Sequence, residues 1–407
     1  MLSYEQALEQ LLAAAQPVTE TRHVPITAAA GRVLAQAQVA TVNVPPLDNS
    51  AMDGYAVRVI DLMQADVAQV GVTLPVSQRI PAGTVGSELQ PGTAARIFTG
   101  APVPPGCDAV IMQERCAAGD GVVTINHVPR LGENIRRCGE DIATGNEILP
   151  AGIRLRAQEI ALAASAGLPE LPVHRRVRVG IFFTGDELVQ PGEPLPPGAI
   201  YNSNRYALRA LLECLGCEVR DLGSVPDCLD ATRDALRRAA ADNDLIVTSG
   251  GVSVGEEDHV KPAVEAEGRL DMWKIAIKPG KPLAFGEVNK PEGGTAWFIG
   301  LPGNPVAAFV TCLMLVRPFI LRLQGVADVR PKVLPLTADF TWSRPDGRLE
   351  FLRARINDAG RVELYPNQGS AVVTSLCWSD GLVLNPPGQA VQAGDSVRFV
   401  TFAELLA

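Results

Sequence analysis

Between residues about 173 and 323 the chain alternates short, unbroken apolar runs with amphipathic stretches, and this alternation limits the fold more than any other feature. Val177–Phe183 and Asp244–Thr248 carry continuous apolar runs, Val179–Phe183 and Leu245–Val247, with no alternate polar positions for a wet face, so they read as strands buried on both sides. Asn204–Leu215 and Asp230–Ala241 have helical spacing, and Glu218–Val225 reads as a strand between them. Leu270–Ile277, Leu283–Phe285 and Ala296–Ile299 read as further strands, and Asn304–Leu323 as a closing helix. Strands alternating with helices predict an α/β domain with a mostly parallel sheet.

The flanking regions read differently. Ser3 and Gln6 have the spacing of a capping box, and Tyr4, Ala7, Leu8, Leu11 and Leu12 fall on one helical face. Such a face must pack on a neighbouring domain or subunit. Val70–Val76, Ala94–Phe98, Ala109–Met112 and Gly121–Ile125 are β-like runs between Gly- and Pro-rich turns. A helix containing Ile160, Leu162 and Ala163 ends at Gly167, and Gln324–Pro335 reads as a linker to a β-rich end. The expected domains are therefore 1–45 with 140–172, an inserted small β domain at 46–139, the α/β domain at 173–326, and a C-terminal β domain at 327–407. A chain of 407 residues suits such a division.

Composition removes some functions. A formal net charge of −9 argues against nucleic acid or a membrane surface as partner. The start, Met1 to Glu5, lacks the basic residues of a signal peptide, and the longest apolar stretch, Pro305–Val316, is too short to span a bilayer. The eight cysteines are scattered; only Cys214 and Cys217 have metal-like spacing, with no second pair or histidine cluster to complete a site. A cytoplasmic protein with reduced thiols is expected.

In an open α/β sheet, ligands bind at the carboxyl ends of strands. The segments following the strands are Thr184–Leu188, Pro226-Asp227, Ser249–Asp258, Lys278–Pro282 and Gly300–Pro305. Ser249-Gly250-Gly251 can bring bare backbone close to phosphate oxygens, although a Gly-Gly pair also makes an ordinary turn. Asp186, Glu187, Asp227 and Asp258 suit a hard cation such as Mg²⁺, or serve as helix caps and first-turn acids. Lys274, Lys278 and Lys281 are favoured as anion binders, with 274 and 278 on one strand face by their even spacing. Earlier in the chain, Asp53, Thr99 and Asp141 are either turn and cap residues or parts of a mechanism that needs an anion and a metal.

Seven stretches, in order, resemble the molybdopterin molybdenumtransferase family, which includes the C-terminal domain of gephyrin. They are Asp48–Ala56, Arg96–Pro102, Gly139–Ile142, Thr184–Leu188, Ser249–Asp258, Ile277–Pro282 and Gly300–Val306. The resemblance implies a four-domain homodimer with its active site in a cleft shared by the subunits. It implies insertion of molybdate into adenylylated molybdopterin with Mg²⁺ and release of AMP, giving the molybdenum cofactor. It also implies contacts with molybdopterin adenylyltransferase and apo-molybdoenzymes. By motif, the catalytic positions are Asp53, Asp141, Glu187, Asp227 and Asp258, with Glu187, Asp227 and Asp258 as metal ligands. The substrate-binding positions by motif are Thr99, Lys274, Lys278, Arg353 and Ser370, to which the loops after the strands add Ser249, Gly250, Gly251, Lys281 and Pro282. One position departs: where the family often has Ser after Asn-Pro-Val, this chain has Ala307. Two other readings stay open: an adenylyltransferase, which is usually one small domain, and a non-catalytic binding or scaffold protein.

Overall fold

The computed structural model describes residues 1–63, 70–251 and 259–406. The first helix, α1 (Tyr4–Ala14), begins with the expected capping box: Gln6 N–H donates to Ser3 Oγ, and Ser3 N–H to Gln6 Oε1. Its buried face is Ala7, Leu8 and Leu11. That face packs into the core of the α/β unit of the same chain, so a second subunit is not needed to cover it. Next, β1 (Thr21–Pro25) pairs antiparallel with a strand about 150 residues later, enclosing an inserted β unit.

The insertion is a six-stranded sheet of β2 (Gly54–Val57), β3 (Val72–Ile80), β4 (Ala94–Ile97), β5 (Ala109–Met112), β6 (Cys116–Ala118) and β7 (Val122–Ile125). Its order is β5-β2-β4-β3-β7-β6. The turn-rich sequence between its short apolar runs is what prevents longer elements there. After it, α2 (Ala157–Ser165) ends at Gly167, whose φ of 77° places it in the left-handed region that favours glycine, and β8 (Glu170–His174) closes on β1.

The α/β unit follows: β9 (Arg178–Thr184), α3 (Ser203–Cys214), β10 (Glu218–Val225), α4 (Leu229–Asp242), β11 (Leu245–Ser249) and α5 (Val260–Glu267). It continues with β12 (Gly268–Lys274), β13 (Ile277–Lys278), β14 (Pro282–Asn289) and β15 (Thr295–Leu301). Six strands form the sheet in the order β10-β9-β11-β15-β14-β12. β9, β10, β11 and β15 are parallel; β14 runs against both β15 and β12, so β12 again points with the others. The carboxyl ends of five strands therefore meet at one edge. The closing helix comprises α6 (Pro305–Thr311), a π-helical turn at Cys312–Val316, and α7 (Arg317–Leu323). Pro318 has no N–H to offer the Met314 carbonyl, which accepts from the Tyr4 hydroxyl of α1 at 3.2 Å. The helix spans the length expected, and Pro305–Leu323 as a whole, unlike the stretch Pro305–Val316, is long and apolar enough to cross a membrane, but 89 % of its most apolar part is buried within this chain, as in a core helix.

One expected strand is broken. Residues 270–277 do not run on as a single strand: β12 ends at Lys274, and β13 joins the C-terminal sheet by pairing in parallel with Leu349–Glu350. Lys274 and Lys278 thus belong to different sheets, and the shared face predicted from their spacing does not exist. Ile275 and Ile277 are both buried at this junction, while Leu2 bridges to Ile275. Both isoleucines stay buried as the chain passes from one sheet to the next.

The C-terminal unit has β16 (Leu334–Thr337), β17 (Leu349–Ile356), β18 (Val362–Leu364), α8 (Thr374–Trp378), β19 (Gly381–Asn385), β20 (Ser396–Thr401) and α9 (Phe402–Leu406). Its sheet runs β13-β17-β19-β20-β16, with β18 beside β17. Arg317, 6 % exposed, locks this unit to α7 by donating to the carbonyls of Leu405, Val329 and Glu404.

Candidate active site

The sheet switch at β13 creates a cavity of about 550 Å³ between the α/β unit and the C-terminal unit. Its α/β side includes Gly250, Gly251, Lys278, Lys281, Pro282 and Ala307, and its C-terminal side Arg348 and Ser370. An adjoining cavity of about 400 Å³ shares Gly250, Gly303 and Asn304 with it and contains Glu187 and Ser249. Together they form a groove along the carboxyl edge of the sheet, where α/β topology places ligands.

The glycines are required by shape. Gly250 and Gly251 have φ of +93° and +63°, and a Cβ at Gly251 would lie 2.6 Å from Val260 Cγ2. Ser249 is 3 % exposed and, on the wall of the smaller cavity, fixes this turn. Its hydroxyl donates to the Pro302 carbonyl at 2.9 Å and accepts from Asn204 Nδ2 at 2.8 Å; Asn204 also donates to Gly303 O at 2.7 Å. Across the cavity, the Ser370 carbonyl accepts from Val306 N–H in the first turn of α6, a donor with no partner within the helix.

Lys278 lines the cavity, but its ammonium is already paired. Nζ lies 3.2 Å from Glu350 Oε1 and 3.4 Å from Asp346 Oδ2. Glu350 is wholly buried and also accepts from Trp342 Nε1 and Asn385 Nδ2. Arg348 grips Asp346 with two bonds, Nε to Oδ1 and Nη2 to Oδ2, each 2.8 Å. The Arg348 guanidinium, with burial opposing it and Lys278 assisting it, holds the Asp346 carboxyl far below the usual carboxylate range. Lys281 is exposed and has no carboxylate partner among the described residues.

Arg353 lies elsewhere than expected. It is 1 % exposed, and burial pulls it down to about 10. Its guanidinium donates to Ser375 Oγ, Phe351 O and Gly369 O, while its backbone exchanges bonds with the Gln368 amide. It supports the loop that carries Ser370 and does not line the cavity. Lys274 is exposed at the end of β12 and lines neither cavity.

Of the acidic set, Glu187 lines the smaller cavity, Asp227 is half-buried after β10, and Asp258 lies outside the described residues. No three His, Cys, Asp or Glu side chains converge in a metal-binding group among the described residues. Asp53 accepts from Thr99 N–H and Oγ1, both at 2.8 Å, and these bonds, the backbone one first, hold its carboxyl below the usual value. Asp53, Thr99 and the exposed Asp141 line neither cavity. Cys217, of the metal-like pair, is buried and its thiol is pushed up to about 12, while Cys214 is exposed.

Arg348, Asp346, Glu350 and Asn204 escaped the sequence reading. The signal available in the sequence was Pro345-Asp346-Gly347 ahead of an apolar strand, a composition that marks a turn and says nothing of a ligand.

Residues 180–322 match a family described as probable molybdopterin binding domain, so the groove sits on an α/β unit of that class. Residues 2–167 match the MoeA N-terminal region (domain I and II), and 335–402 the MoeA C-terminal region (domain IV). The chain belongs to the molybdopterin molybdenumtransferase family, enzymes of molybdenum cofactor biosynthesis. It is 42 % identical to the molybdopterin molybdenumtransferase of Haemophilus influenzae, over 100 % of both chains. It is 40 % identical to molybdopterin molybdenumtransferase 2 of Mycobacterium tuberculosis, over 93 % of each. The crystal structure of the molybdopterin biosynthesis moeA protein from Pyrococcus horikoshii superposes with a TM-score of 0.86 at 28 % identity, covering 98 % of this chain and 100 % of that one.

Proposed function

We propose that this chain inserts molybdate into adenylylated molybdopterin, with Mg²⁺-dependent release of AMP, in the cytoplasm. The observation that carries the reading is the cavity at the sheet switch, which Lys278, Lys281 and Arg348 line together with the glycine turn at 250–251. Molybdate is a tetrahedral dianion, and Lys281, Lys278 and the Ser370 hydroxyl supply donors from both sides of the cavity. The turn gives the phosphate-bearing end of the substrate room close to the backbone. Arg353 holds Ser370 in place from beneath. Ala307 supplies no hydroxyl, so oxyanion contact on that wall falls to the lysines.

The acids fit Mg²⁺ in one form only. Mg²⁺ is commonly held by one or two carboxylates plus substrate phosphates. Glu187 in the smaller cavity suits that arrangement, with Asp227 and Asp258 as further candidates, whereas an all-protein cage is absent among the described residues. When bound, the ion would neutralise charge on the phosphate link to AMP. The sulfurs that receive molybdenum belong to the pterin, so the exposed and buried cysteines need no part in it.

Asp53, Thr99 and Asp141 serve the same chemistry only if a second subunit brings them to the groove, which makes the working form a homodimer with a shared cleft. Molybdopterin adenylyltransferase and apo-molybdoenzymes are the partners this reaction calls for, as supplier and recipient. Incubating the protein with adenylylated molybdopterin and Mg²⁺, with and without molybdate, tests the reading. AMP release that depends on molybdate is expected; AMP release indifferent to molybdate, or none, would count against it.

A further inference from the structure

The cavity holds its positive charge in an unusual way. Lys278, Lys281 and Arg348 line it, yet Asp346 and Glu350 already neutralise two of these three cations. The two carboxylates differ in their freedom. Glu350 is wholly buried and fastened by Trp342 and Asn385, so it cannot leave. Asp346 sits in the turn before β17 with 24 % of its side chain exposed. Its contacts also differ in strength: the two bonds from the Arg348 side chain are 2.8 Å, whereas Lys278 is 3.4 Å away. The Arg348 fork occupies both Asp346 oxygens, so the lysine is the partner most readily given up. Lys278 keeps 41 % of its side chain exposed, which leaves it room to turn toward the cavity.

Resting on the reading of this cavity as an oxyanion site, we propose that Asp346 is a specificity-determining residue that filters anions by charge. Its carboxylate competes for Lys278 in the free protein. An incoming anion must outbid it for the ammonium, and a dianion does so where a monoanion of the same shape does not. Attraction to a fixed cation scales with the charge of the anion, so doubling that charge doubles the pull at equal distance. Asp346 thereby excludes abundant monoanions from a site whose lysines would otherwise take them, a repulsive device as much as an attractive one. It acts through Lys278 and is a positioning residue, not a catalytic one.

Calorimetric titration of the whole protein with molybdate, in the presence of sulfate or of perchlorate, tests the filter. Perchlorate is tetrahedral like molybdate but carries a single charge. In the wild type, sulfate should compete and perchlorate should not. In Asp346→Asn the molybdate dissociation constant should fall about tenfold, and perchlorate should become a competitor. Asp346→Glu, which restores the charge, should restore the discrimination. A merely structural role predicts weaker molybdate binding and a lower melting temperature in Asp346→Asn, with no gain of perchlorate competition, and that result would overturn the proposal. Lys278→Ala separates the two layers. If it leaves molybdate binding unchanged, the oxyanion reading itself fails. If it weakens binding while Asp346→Asn neither tightens molybdate nor admits perchlorate, only the filter fails.

Discussion

Removing the ammonium of Lys278 affects two things at once. On the cavity side it deletes a donor to an oxyanion, a contact worth roughly 1.5–3 kcal/mol, so the molybdate concentration for half-maximal AMP release should rise about 10- to 150-fold. On the other side it strips Glu350, wholly buried, of the ammonium it is ion-paired with. Trp342 and Asn385 remain to hydrogen-bond that carboxylate, and Lys278 is itself partly exposed, so the penalty stays below that of a fully buried pair. Lys278→Ala should therefore lose about 1–2 kcal/mol of stability, more than the loss of a solvated surface lysine costs. Lys278→Ala combined with Glu350→Gln should regain stability but not molybdate use. Urea unfolding beside AMP-release titrations checks both halves; recovery of molybdate use in the double variant would show that the ammonium does not contact the anion. Arg353 differs in kind. Arg353→Met leaves Gly369 O and Ser375 Oγ without their guanidinium, and should cost about 3 kcal/mol or more through lost buried bonds. If the melting temperature of Arg353→Met matches the wild type, Arg353 is not the support of the Ser370 loop.

Among elements, the amino edge of the central sheet depends on one carboxylate. Asp244, just before β11, takes two bonds from Arg175, at 2.7 and 2.8 Å, and one from Arg178 N–H at the start of β9. Burial pushes its pKa up, but the Arg175 pair and the Arg178 N–H outweigh that and hold it below the ordinary value. A depressed carboxyl stabilises the fold above its unfolded-state pKa, near 4, and loses that contribution as pH falls through the folded value. Asp244→Asn should be less stable than wild type by about 2 kcal/mol at pH 7, with the gap narrowing below pH 4. Melting curves across that range check it; a gap that stayed constant would show that the charge does not matter. The strands this contact joins were legible in the sequence because Val179–Phe183 and Leu245–Val247 are unbroken apolar runs with one physical explanation. The glycine turn after β11 was legible for a similar reason. The sheet switch at Ile275–Ile277 was not, because a local pattern of alternate burial is the same whether the chain stays in one sheet or enters the next. Arg348, Asp346 and Glu350 were missed for the same reason: they reach Lys278 only through the parallel pairing of β13 with β17, some 70 residues apart in sequence. Arg353 was placed by motif, and motif carries no information on whether a guanidinium faces the cavity or the core.

At the scale of the molecule, the positions expected to act together fall into two groups. Lys278, Lys281, Ser370 and Glu187 line the groove at the sheet edge, while Asp53, Thr99 and Asp141 lie on the first part of the chain and line neither cavity. The amphipathic face of α1 gives no argument for a second subunit, since this chain covers it. The division of the site gives one. If both groups serve the reaction, each groove must be completed by Asp53 from the other copy, as closed two-fold symmetry would arrange twice over. Asp53→Ala and Lys278→Ala should each reduce AMP release by on the order of 10²-fold at limiting molybdate. Mixed after dissociation and reassociation, the two variants should recover activity. In a heterodimer one groove collects both defects and the other neither. An equal mixture that exchanges freely holds half its dimers in that form, so about a quarter of wild-type activity per subunit should return. Sedimentation before and after mixing checks that dimers formed. Dimers that form without any recovery would mean that Asp53 serves its own chain or none, and a monomer at micromolar concentration would remove the shared groove altogether.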